Sequence, residues 1–216
     1  MARNVSDTWR LDHPWAHLYS FGMARRSLAR AAGVIGFGTT FQGLYDAIDS
    51  LAYTPRGGTV LDVPCGAGIA LAGINRQTRV RYLACDISPA MLVRTREAAA
   101  RLGVPIETLE ADVASLPLAD RSVDVTVSLT GLHCFPDPHA AIREIARVTD
   151  DRIELTWLRA DAGTRYRPVI AAGRAAGLIG PSATLLEVTD WLSAAGFLAY
   201  GVTEGAFAYV SARRCS

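Results

Sequence analysis

Three aspartates stand at the ends of three apolar runs: Asp62 in TVLDV, Asp86 in VRYLACDI and Asp112 in IETLEAD. The first runs straight into a turn of small residues, Pro64, Cys65, Gly66, Ala67 and Gly68. A carboxylate at the end of a buried strand is costly unless it is paired or hydrogen-bonded. A ligand ammonium group would partner Asp62, directly or through water. Gly66 and Gly68 let the backbone approach a ligand and tolerate unusual φ. The helix start expected behind them offers free N–H groups, which favour a carboxylate or a phosphate. Ammonium and carboxylate together make an amino-acid moiety. Asp86 falls where a ribose-binding acid is expected after a glycine turn. An acid at Asp112 can accept from the exocyclic amine of an adenine. Amino acid, ribose and adenine, in that order, are the parts of S-adenosylmethionine.

The elements that must position these acids are legible from residue 59 onward. TVLDV, VRYLACDI, IETLEAD, SVDVTVSLT and RIELTWL read as strands, separated by stretches of helical periodicity. SPAMLVRTREAAARLG is the clearest helix, with Ser88 as N-cap, Pro89 at the first helical position and Gly103 at its end. GIALAGINRQ, DPHAAIREIARV and ATLLEVTDWLSAAG also read as helices. FLAYGV and AFAYVSARR, close together across TEG, predict an antiparallel hairpin. The expected class is α/β: a Rossmann-like, doubly wound, seven-stranded and mostly parallel sheet, its last strand antiparallel. Residues 1–58 lack strand alternation and are expected to form an N-terminal helical cap or lid. Residues 59–216 form the core of what reads as a single domain.

Composition narrows the function. The formal net charge of +1 argues against a dedicated nucleic-acid surface. All 22 cationic side chains are arginine. Cys65, Cys85, Cys134 and Cys215 show no CxxC pair, which reads as buried thiols in a reducing compartment and not as a disulfide or zinc framework. The N-terminal MARNVSDTWRLDHPW lacks the apolar core of a signal peptide. The longest uncharged apolar stretch, Ala31 to Tyr45, is interrupted by Gly, Thr and Gln and falls short of the roughly 18 residues of a membrane span. A cytoplasmic protein without stable membrane insertion is expected, with no bound metal.

VLDVPCGAG, ACDISPAML, EADVASLPLADRSVDVTVSLTGLHCFPDP and AIREIARV occur in this order between Val60 and Val148. In this the chain resembles the class I S-adenosylmethionine-dependent methyltransferases, in particular the broad group that includes quinone-biosynthesis C-methyltransferases. The resemblance implies S-adenosylmethionine as cofactor. It places Asp62 at the donor's amino group, Gly66 and Gly68 at its carboxylate, Asp86 at the ribose, and Asp112 with Val113 at the adenine. Pro64, Cys65, Ile87, Met91 and Leu129 would complete the donor site, and Tyr19 would close it from an N-terminal helix. Two departures stand out. Pro64 replaces the family's usual glycine, and TDD runs straight into RIELTWL where a Pro-Gly-Gly turn is common.

Other residues keep two readings. His133, after the fourth strand, is either a general base or a polar wall residue. Cys65 and Cys134 are either nucleophiles or small apolar filler, and no base partner is legible from their spacing. The segment holding Trp9, His13, Trp15, His17, Tyr19 and Phe21 either docks its aromatics on the domain or covers the donor. The stretch from Arg159 to Ser182 is either a second wall or a plain covering helix. Trp15, Phe21, His133 and Trp157 are expected to line an apolar pocket for a small, fairly apolar or aromatic methyl acceptor. Two other functions share the strand–turn–acid pattern. An NAD(P)-dependent oxidoreductase needs a third small residue where Leu71 stands. A non-catalytic donor-binding module would keep the site without turnover.

Overall fold

The computed structural model describes Trp9, residues 25–74 and residues 79–215. Among these, seven strands form one sheet. They are β1 (Thr59–Asp62), β2 (Arg81–Asp86), β3 (Glu107–Glu110), β4 (Val123–Leu129), β5 (Thr149–Leu158), β6 (Phe197–Glu204) and β7 (Phe207–Arg214). The spatial order is β3-β2-β1-β4-β5-β7-β6. The first five strands are parallel, while β7 runs antiparallel to both β5 and β6. The expected doubly wound, mostly parallel sheet with an antiparallel last strand is what forms.

Helices cover both faces. They are α1 (Arg26–Phe37), α2 (Gln42–Ser50), α3 (Pro89–Leu102), α4 (Pro138–Val148), α5 (Arg167–Ala175) and α6 (Leu185–Ala194). Strand alternation divides the core in two. Val60, Tyr82, Ala84, Val125 and Val127 point to one face, where Leu44 and Ile48 of α2 and Leu92 and Ala99 of α3 meet them. Leu61, Leu83, Ile153 and Leu155 point to the other, against Ile142 and Ile145 of α4 and Val188 and Leu192 of α6. Phe41, Leu44, Tyr45, Ala47, Ile48 and Leu51 are therefore part of the core.

Local chemistry sets the helix ends. Asp137 caps α4 by accepting from the Ala140 N–H at 2.9 Å. Thr184 and Glu187 form a reciprocal capping box on α6. Ser88 occupies the N-cap position of α3, followed by Pro89, but its hydroxyl does not cap. The backbone N–H of Ser88 instead donates to Asp86 Oδ1 at 2.9 Å. The helix expected after the glycine turn shrinks to a 3-10 segment, Ile69–Gly73. No helix among the described residues is long and apolar enough to cross a membrane.

Candidate functional site

Strand order reverses between β1 and β4, and a crevice opens beyond their C-terminal ends, where open α/β sheets bind ligands. A cleft of about 1000 Å³, open solvent side included, lies there. Asp62 enters it from β1, Asp86 from β2, Ala111 and Asp112 from the end of β3, and Leu129 and Thr130 from β4. Three consecutive strand ends thus bring three acids to one wall.

Asp62 is 2 % exposed and accepts a 2.6 Å hydrogen bond from the Tyr82 hydroxyl. Burial pushes its carboxyl up to about 7, the Tyr82 bond pulls it down, and the Asp86 charge adds a smaller upward push. Tyr82 lies two residues below the partner of Asp62 on β2, so both side chains fall on the same face of adjacent parallel strands. Sequence reasoning missed this residue. Its signal was a hydroxyl-bearing aromatic in a strand buried on both sides, which must find an acceptor.

Backbone contacts hold the glycine turn. Cys65 N–H donates to the Cys85 carbonyl at 2.8 Å, and Gly68 N–H to the Cys65 carbonyl at 2.9 Å. The Thr95 hydroxyl, from α3, donates to the Gly66 carbonyl at 2.7 Å. Gly66 has φ 52°, and a Cβ added there would meet nothing within 4 Å, so its open side faces the cleft. Gly68, expected beside it on the ligand, does not line the cleft. With φ 79°, an added Cβ would sit 2.8 Å from Leu71 Cδ1, so its glycine serves the turn and its packing.

Asp86 Oδ2 accepts from Gly66 N–H at 2.9 Å, and Oδ1 from Ser88 N–H at the same distance. Burial raises its pKa, while N–H groups of Ser88, Gly66 and Ile87 oppose that rise. The carboxylate so couples the turn after β1 to the start of α3 while still lining the cleft. Asp112 is exposed and accepts from Ala114 N–H at 2.9 Å, which sets the bend that carries Val113 inward. Pro64, Cys65, Ile87, Met91, Val113 and Leu129 also line the cleft. The Val63–Pro64 peptide is cis. Ile69, Phe135 and Pro136, absent from the sequence reading, complete its apolar walls.

Two expected acceptor residues lie elsewhere. Trp157 is fully buried among Leu155, Val188 and Leu192, and its Nε1 donates to the Ala183 carbonyl at 2.8 Å. Alternation along β5 puts it beneath α6, away from the cleft. His133 is also absent from the lining, although its neighbours Cys134 and Phe135 are present. Its Nδ1 accepts from Leu158 N–H at 3.2 Å, and its ring meets Phe207 edge-on at 6.3 Å. Burial lowers its pKa to about 4. With Nδ1 accepting, the neutral ring carries its proton on Nε2 and has no free base nitrogen. The geometry thus assigns His133 to the packing of the β4 and β5 ends. The stretch from Arg159 to Ser182 contributes no lining residue, forming a short 3-10 turn and α5.

All four cysteines are free. Burial pushes the Cys134 thiol up to about 12 and raises that of Cys65 well above its ordinary value. Both line the cleft as neutral thiols, the filler role. Trp15, Tyr19 and Phe21 lie outside the described residues. Trp9, from the same aromatic segment, lines the cleft and donates from Nε1 to the Leu178 carbonyl at 3.2 Å.

Known proteins resemble this chain in sequence and in fold. Residues 60–152 match the family model described as a methyltransferase domain. Over 107 residues the chain is 36% identical to a malonyl-[acyl-carrier protein] O-methyltransferase of Halorhodospira halophila, covering 49% of this chain and 35% of that protein. It is 34% identical over 95 residues to a phosphatidylethanolamine N-methyltransferase of Cereibacter sphaeroides, covering 43% and 46%. The matches span only about a third of the length of mycobacterial relatives, at 32%. A crystal structure of a SAM-dependent methyltransferase from Aquifex aeolicus has the same fold, with a TM-score of 0.59 at 19% identity over 98% of both chains. The expected resemblance to methyltransferases is borne out over residues 60–152, which match that domain, and the likeness to the solved structure bears out the expected fold.

Proposed function

We propose that this chain binds S-adenosylmethionine in the cleft and methylates a small, fairly apolar molecule. The observation that carries this reading is the convergence of Asp62, Asp86 and Asp112 on one cleft beside the open face of Gly66. The donor's functional groups fit these residues. Asp62, desolvated and held by Tyr82, gains from an ammonium partner. Gly66 leaves room for a close approach, Asp86 presents acceptor lone pairs to ribose hydroxyls, and Asp112 with Val113 meets an adenine edge. Met91, Ile87 and Leu129 supply flat apolar contact. Bound there, S-adenosylmethionine supplies an electrophilic methyl group on a sulfonium.

The chain's own contribution is positioning and exclusion of water. Ile69, Leu129, Phe135 and Pro136 make walls that favour a planar or lipid-like acceptor. No titratable base is required of them, in keeping with the proton-bearing Nε2 of His133. The N- and O-acceptors in the two relatives' names suit a cleft whose acceptor end carries little chemistry of its own. Free, neutral thiols at the cleft suit a reducing cytoplasm.

Isothermal calorimetry with S-adenosylmethionine, its demethylated product and NAD tests the proposal. Saturable binding of the first two and none of NAD is expected. Binding of NAD alone would overturn it in favour of a dinucleotide oxidoreductase. Donor that binds yet stays intact with every acceptor tried would mark a binding module.

A further inference from the structure

Two segments of this chain carry arginine and no acid. Residues 25–45 hold Arg25, Arg26 and Arg30, and residues 162–186 hold Arg165, Arg167 and Arg174. The whole chain is nearly balanced, with 22 cations against 21 acids, so the segregation is local. The fold then joins the two segments. Arg165 donates to the Ile35 carbonyl at 3.5 Å, and Phe37 and Tyr166 pack on the same cluster.

α1 wears its apolar stripe outward. Leu28, Ala31, Ala32 and Ile35, at helical spacing on one face, are all exposed, with Ile35 at 78 %. The inward positions are the small residues Ala29 and Gly33. An ordinary surface helix turns its apolar stripe to the core. On α5, Val169 is likewise exposed, between Arg167 and Arg174 in sequence. Of the nearby acids, Asp49 is engaged by Arg26, Asp46 accepts from Gln42 and adds its charge beside Arg26, and Glu204 accepts from Thr39 and Thr40 and shares its charge with Arg30. An outward apolar stripe beside arginines is the pattern of an interfacial helix.

We propose that the face formed by α1 and α5 docks on an anionic lipid surface. Leu28 and Ile35 would enter the acyl boundary, and Arg30, Arg167 and Arg174 would meet the headgroups. A second copy of this chain is a poorer occupant, because two such faces would oppose like charges. A nucleic acid offers no partner for the Leu–Ile stripe. The face also borders the cleft. Leu178, just past α5, accepts from cleft-lining Trp9, and Gly180 N–H donates to the His133 carbonyl at 2.7 Å, beside Phe135. Docking would so bring the cleft mouth to the membrane, and an apolar acceptor would enter from the lipid phase. That consequence rests on the proposed function, whereas the docking does not.

Flotation of the full chain with vesicles tests the docking. Wild type should float with mixed phosphatidylcholine–phosphatidylglycerol vesicles, bind neutral phosphatidylcholine vesicles at least about tenfold more weakly, and dissociate as salt rises. Leu28→Asp with Ile35→Asp should abolish flotation. Arg167→Glu with Arg174→Glu should cost about tenfold or more on anionic vesicles. Circular dichroism melts should match wild type, since all four side chains are exposed. Failure of wild type to float, or flotation of the Asp double variant like wild type, overturns the proposal. So does a concentration-dependent dimer that the Asp double variant disrupts in place of vesicle binding. Donor affinity measured on the same variants should not change, which separates this test from that of the donor site.

Discussion

The Tyr82 hydroxyl donates to Asp62 Oδ2 at 2.6 Å, between two buried side chains on adjacent parallel strands. The bond stabilises the charged carboxylate against a burial that favours its neutral form. Tyr82 is a positioning residue: it acts through Asp62 and does not itself line the cleft. A hydrogen bond to a charged group contributes about 1.5–3 kcal/mol. Tyr82→Phe should therefore raise the Asp62 pKa further and weaken donor binding at neutral pH by about tenfold or more. The readout that separates this from simple loss of packing is the pH profile of donor affinity. Wild-type affinity should fall as pH drops through about 7, and the fall should begin at higher pH in Tyr82→Phe. An unshifted profile would remove Tyr82 from the site.

Asp62→Asn separates stability from binding. Burial lifts the folded-state pKa to about 7, whereas an unfolded aspartate titrates near its ordinary 3.8. Between these values the unfolded chain has released a proton that the folded chain retains. Stability from this group therefore falls as pH rises through the window and stays flat above it. Asn removes the desolvated charge, so the variant should melt higher than wild type at pH 8, by roughly 2–4 °C for each kcal/mol recovered. It should also lose donor affinity by about tenfold or more. Melting curves and calorimetry on the same preparation check both. A lower melting temperature at pH 8 would mean that Asp62 is paired better than its one hydrogen bond from Tyr82 indicates.

His133 contributes with the opposite sign. Burial lowers it to about 4 from 6.5, so on acidification the unfolded chain takes a proton first and stability falls between those values. Asp62 and His133 thus oppose each other over much of the same window. Asp62→Asn should unmask the histidine and lose stability more steeply from pH 6.5 to 4 than wild type does, measured by thermal melts across pH.

His133→Ala should cost stability more than turnover. It orphans the Leu158 N–H and leaves a gap beside Phe207, and a buried unpaired donor costs about 1–3 kcal/mol. With an acceptor in hand, the methylation rate should fall by less than about threefold. A loss of about 10²–10⁴ with an unchanged melt would restore the role of general base.

Asp86→Ala should act on both counts. The ribose contact is lost, so donor affinity should fall about ten- to a hundredfold. Gly66 and Ser88 also lose the acceptor that ties the turn to α3, so the melting temperature should fall as well. A donor dissociation constant equal to that of wild type would show that the ribose lies elsewhere.

Much of this molecule is written in short-range signals. Short β-rich apolar runs marked the strands, Pro89 and Gly103 bounded α3, and Asp62, Asp86 and Asp112 were visible as acids ending apolar runs. Those features depend on residues a few positions apart, so a linear chain displays them. What the tertiary structure decided depends on which strands are neighbours and in what register. Tyr82 reaches Asp62 only because β1 and β2 pair with Val60 opposite Tyr82. Trp157 turned to the α6 face because alternation along β5 sends it there with Ile153 and Leu155. His133 lost its free nitrogen to Leu158, 25 residues away along the chain. Gly68, alike in sequence to Gly66, differs because Leu71 and Thr95 occupy the space its side chain would take. The acid-free stretches around Arg30 and Arg167 became one face only when Arg165 met Ile35. For Tyr82, His133 and the two arginine stretches the deciding contact joins residues far apart in sequence, and only packing of the whole sheet sets their distance.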